Sequence, residues 1–143
     1  TAYRYIRILG QAGATDHSNP WQQEWEFKVN SLVTSATGTI IQNTNTVGSA
    51  KTKVGGTILY KDLSGTATLG TDLKVYFTCN GGTNWTEASS YSVITPVYST
   101  GIKQVRLGET TCTSGTDIRY KAVWANQAAG SKETQLHGIG INY

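Results

Sequence analysis

Methionine is absent from the chain, and charged residues are scarce at 15%. The formal net charge of +3 comes from scattered Lys and Arg, with no long run or stripe of one sign. A nucleic-acid partner is therefore not expected. No apolar run approaches the roughly eighteen residues that a spanning helix needs, so no membrane-spanning segment is expected either. The chain opens directly on TAYRYIRI with no signal peptide visible, which reads as a mature product or an excised fragment. Cys79, Cys112, His17 and His137 lack the clustered spacing of a structural zinc site. No internal repeat is present, which argues against a propeller or solenoid.

What is present points to strands. Glycine numbers 16, and threonine and serine recur in nearly every segment. β-branched side chains lose rotamer freedom in a helix and pack well on a pleated surface. The 143 residues fit a single domain, 1–143, large enough to bury a core without staples or metals. Alternating stretches predict strands at residues 3–9, 24–29, 38–43, 57–63, 73–79, 102–108, 116–125 and 135–143. ETTCTSG (109–115) and NQAAGSKE (126–133) read as turns. The spacing of turn signals, roughly every ten residues, is that of an all-β antiparallel sandwich. Its expected core is Ile6, Ile8, Trp25, Phe27, Leu73, Val75, Phe77, Val105, Leu107, Ile118, Tyr120, Ile139 and Ile141. Trp85 and Trp124 also fit an inward phase.

The two cysteines leave a disulfide or two free thiols. Cys79 continues the inward phase of Leu73, Val75 and Phe77, so the expectation is a bridge from Cys79 to Cys112.

The stretch FTCNGGTNWTEA (77–88) carries Thr78-x-Asn80-x-Gly82-x-Asn84-Trp85. It resembles the Asp-box hairpin of sialidase blades, Ser/Thr-x-Asp-x-Gly-x-x-Trp, with Asn80 in place of the aspartate and one copy only. That resemblance implies a self-stabilising turn with a tryptophan lid rather than a catalytic site. Further along, DLKVYFTCNGGTNWTEA, GIKQVRLG, GTDIRYKAVWANQA and LHGIGINY resemble the strand order of jelly-roll modules in bacteriophage tail, fibre and other virion proteins, which are themselves similar to carbohydrate-binding modules. YRYIRILG followed by WEF is similar to discoidin-type, galactose-binding-like domains, although there these elements lie late in the domain. The resemblance implies a jelly-roll β-sandwich, outside the cell or on a virion surface, that binds a polysaccharide or host glycan.

The carboxylates do not assemble an enzyme. Glu24 and Glu26 share a strand face, Asp16 and His17 sit in a loop, and Asp117 opens a strand, with no triad order or phosphate-binding loop. A non-catalytic module is the expectation. A structural calcium ion would sit near Asp16 or Asp117, although no ligand run surrounds either, and no other cofactor is expected. For glycan binding, alternation turns Tyr76, Gln104, Arg106, Arg119 and Lys121 outward, with Trp21 as a second, loop-borne platform. Were their strands adjacent in one sheet, Tyr76 would stack on a sugar ring while Gln104, Arg106 and Arg119 bond its hydroxyls or a carboxylate. The competing expectation is a scaffold, a fibre or decoration domain that assembles as a homo-oligomer and binds no glycan.

Overall fold

The computed structural model describes residues 35–143. The strands expected at 3–9 and 24–29, the core positions Ile6, Ile8, Trp25 and Phe27, and the loop residues Asp16, His17 and Trp21 lie outside the described residues. So do the first 34 residues of the expected single domain.

Eight strands follow one another: β1 (Ala36–Ile41), β2 (Thr46–Ser64), β3 (Leu73–Thr78), β4 (Thr86–Glu87), β5 (Tyr91–Ser99), β6 (Ile102–Asp117), β7 (Arg119–Gln127) and β8 (Glu133–Asn142). They form two four-stranded antiparallel sheets, ordered β1-β7-β3-β4 and β5-β6-β2-β8. The protein is an all-β sandwich, and the described residues contain no helix.

Period-2 alternation is the cause. In β3, Leu73, Val75 and Phe77 are fully buried while Lys74 and Tyr76 between them are half-exposed. In β6, Val105 and Leu107 go in and Arg106 goes out; in β2, Ile58 and Tyr60 go in and Thr57 and Leu59 stay half-exposed. The inward residues of both sheets, with Val54, Ile118, Ala122, Cys79 and Cys112, make one cluster. Each large apolar side chain buried there contributes about 1.5–3 kcal/mol. Tyr120, Ile139 and Ile141, expected in the core, pack against its rim half-buried.

The two sheets are also tied by polar side chains. Tyr91 of β5 accepts a hydrogen bond from the backbone N–H of Val75 in β3 at 2.8 Å. At another corner the Trp124 indole of β7 donates to the carbonyl of Thr134 in β8 at 3.0 Å. Asp72, buried just before β3, accepts bonds from Thr68 N, Asn126 Nδ2 and Lys132 Nζ at 2.8–3.0 Å. These bonds, led by the Thr68 N–H, hold its carboxyl down to about 2.

Two expectations need correction, and one strand was not expected. ETTCTSG is no turn: β6 runs through it, because Thr110 and Cys112 are buried while Thr111 and Thr113 face out, an alternation that threonine disguises. β5 went unread because Pro96 interrupts its pattern; β5 is an edge strand, where a residue without an N–H is tolerated. The bridge expected between Cys79 and Cys112 is not formed. Both are buried free thiols in hydrogen-bond contact, and burial pushes both up, Cys112 to about 11.

Candidate functional site

The outer face of the first sheet carries Tyr76, Arg119 and Lys121, as alternation requires. Tyr76 and Lys121 are direct cross-strand partners of β3 and β7, and Thr78 pairs with Arg119. The hairpin from Thr78 to Trp85 borders this face. Thr78 Oγ1 accepts the N–H groups of Asn80 (3.2 Å) and Gly82 (3.1 Å) and donates to Asn80 Oδ1 (2.8 Å). Asn80 in turn accepts from Asn84 N at 3.0 Å and donates to Asn84 Oδ1 at 2.9 Å. Gly81 and Gly82 supply φ of +71° and +96°, which a side chain would strain. The Thr78 hydroxyl and the Asn80 side chain are thus spent on the turn itself.

Trp85 is not a core residue, contrary to its inward phase. Its ring lies over Gly82, where an added Cβ would come within 3.2 Å of it. The Lys121 ammonium then sits 4.7 Å from the centre of the Tyr76 ring and 4.8 Å from that of Trp85. A cation held over two rings occupies the surface on which a sugar would stack. The other charges here are paired as well. Lys74 meets Glu87 at 3.6 Å. Arg119 binds both carboxylate oxygens of Asp117 and donates to Thr44 Oγ1 at 2.9 Å, which pins residues 44–45 to the β6–β7 corner. Its guanidinium holds the Asp117 carboxyl below the ordinary range.

Gln104 and Arg106 are not on this face. They belong to β6, in the second sheet, so the six residues expected in one site do not come together. Alternation fixes which way a side chain points, but only strand pairing decides which sheet it belongs to.

The second sheet's outer face holds an open groove of about 320 Å3 lined by Thr57, Leu59, Tyr98, Gln104, Gly138, Ile139 and Gly140. Its rows follow from the register. Gln104, Leu59 and Gly138 lie across from one another, and Arg106, Thr57 and Gly140 form the next row. Gly138 and Gly140 lower the floor of the trough by having no side chains. Tyr98, 65% exposed, projects from the end of β5 beside the two-residue turn at Thr100 and Gly101. The groove thus offers an accessible phenol ring, a planar amide, a hydroxyl and apolar walls. That volume and mixture suit a small polar ligand with apolar faces. Among the described residues no cluster of three or more His, Cys, Asp and Glu could hold a metal.

Of these groups only Gln104 was singled out by sequence. The outward phase of Thr57 and Leu59 around Ile58 was readable, whereas nothing in SVITPVYST marks Tyr98.

The fold and groove define a small antiparallel β-sandwich with a ligand-sized trough on an outer sheet face. No family model matches the chain, and comparison with curated proteins and with solved structures finds no similar protein.

Proposed function

We propose that this protein is a non-catalytic carbohydrate-binding module whose site is the groove of the second sheet. One observation carries the reading: Tyr98 stands exposed beside a trough that also presents Gln104 and Thr57. Sugar rings offer apolar C–H faces to an aromatic ring, and their hydroxyls pair with amide and hydroxyl groups in shallow, partly wet sites. The order of the sheets, with β7 between β1 and β3 and β6 between β5 and β2, supports the jelly-roll winding that such modules use. A virion-surface or extracellular setting, as in phage tail and fibre modules, goes with this reading.

The test is a glycan array followed by affinity electrophoresis of wild type and Tyr98→Ala. Retention by a polysaccharide that the variant loses, with its strand spectrum unchanged, supports the groove; equal retention by both removes it.

A purely structural, assembling role is favoured by a different observation. The edge strand β1 leaves Ile40 and Ile41 44% and 54% exposed. A solution mass above the monomer that falls on Ile41→Lys substitution, with no glycan retained, selects that role.

A further inference from the structure

The charges of the second sheet are distributed unevenly. Its strands contain four acidic residues, and each is engaged within the protein: Asp62 with Lys103 (2.8 Å), Glu109 with Lys53, Asp117 with Arg119, and Glu133 with the N–H of Gly130 (2.9 Å). Two cations of the outer face beside the groove, Arg106 and Lys61, are not so engaged. Arg106 is exposed and lies directly across from Thr57 of the groove wall. Lys61, across from Ile102, is two residues beyond Leu59 on the same face. Neither makes an ion pair among the described residues. The groove therefore has a cation near each end, with Leu59 and Gln104 between them and, among the described residues, no carboxylate paired with either. From the Thr57 row to the Lys61 row the strand rises roughly 13 Å, further than one sugar ring extends.

From this we infer that the groove takes an acidic polysaccharide, a chain bearing carboxylates on successive sugars, with Arg106 and Lys61 pairing those carboxylates at its two ends. This rests on the groove being a glycan site and adds the charge class of the ligand. Arg106 suits the role because its planar guanidinium bonds a carboxylate through two parallel N–H groups. The first sheet offers no equivalent: Lys74 and Arg119 are paired with carboxylates and Lys121 is held over two rings.

The experiment is affinity electrophoresis of the full chain in gels carrying polygalacturonate or polysialate, each compared with its methyl ester, at near-physiological salt. The ester keeps the sugar backbone and removes the charge. The expected result is at least about tenfold tighter retention by one of the acidic polymers than by its ester, and a similar loss in Arg106→Gln. Lys61→Gln should lose less. Lys53→Gln, which removes one charge elsewhere on the same sheet, should keep wild-type retention and so separates a defined site from general attraction to a polyanion. Equal retention of acid and ester overturns the inference, as do equal losses in Arg106→Gln and Lys53→Gln, or no retention of either acidic polymer. If esters are retained and Tyr98→Ala abolishes this while Arg106→Gln does not, the groove stands as a glycan site and the acidic preference falls.

Discussion

The two outer faces of the sandwich are built from similar residues and arranged to opposite ends. On the first sheet, Tyr76 and Trp85 lie beneath the Lys121 ammonium, Lys74 meets Glu87, and Arg119 is locked to Asp117 and Thr44. On the second, Tyr98, Gln104 and Thr57 line a trough with Arg106 in the row of Thr57, and their side chains are not tied to one another. An aromatic among cations is therefore no signature of a binding face in itself. What separates a structural surface from a receptive one is whether its donors and rings are already satisfied from within.

This contrast predicts that the first face fails by losing stability and the second by losing ligand. The largest effect is expected at Thr78. Thr78→Val keeps the shape but leaves the N–H groups of Asn80 and Gly82 without their acceptor, costing about 2 kcal/mol in urea denaturation.

Acid should loosen the same half of the molecule. Asp72 has a folded-state value of about 2, below its ordinary 3.8, so its contribution is fully present above pH 3.8 and is lost as pH falls towards 2. Melting curves across that window should show a decline that Asp72→Asn, already less stable, largely lacks.

A smaller loss, about 1 kcal/mol, is expected for Lys121→Ala, with a change in Trp85 fluorescence and no gain of polysaccharide retention. Such a gain would break the contrast, because it would mean that only the ammonium kept this face from being a second site. The smallest effect on stability, within about 0.5 kcal/mol, is expected for Tyr98→Ala, whose exposed ring supports little of the fold even though the proposed binding rests on it.

Much of the fold was legible because its central strands alternate plainly: the inward positions of β3 and the Val105 and Leu107 pair of β6 are core residues. Elsewhere the pattern was blurred. The first half of β2 is polar and glycine-rich, the far half of β6 hides its phase behind threonines, and Pro96 interrupts β5. The site was less legible than the fold. The phase of Tyr76, Gln104, Arg106 and Lys121 was readable, but their grouping required knowing that β3 pairs with β7 while β6 pairs with β2 and β5. The cysteines show the same gap between position and bond: Cys79 is buried as its phase required and touches Cys112, yet both are thiols.

The strand order has a consequence for the growing chain. Among the described residues only β3–β4 and β5–β6 pair strands that are consecutive in sequence; β1 waits for β7, and β2 waits for β6 and β8. During synthesis, β1 and the long β2 leave the ribosome well before their partners exist, so the sandwich can close only when the last third of these residues has emerged. Pairings this distant are slow to form and leave unpaired edges open meanwhile. Lys51, Lys53 and Lys61, spaced along β2 among threonines and glycines, are suited to that interval, since charge along a waiting strand discourages its pairing with another nascent copy.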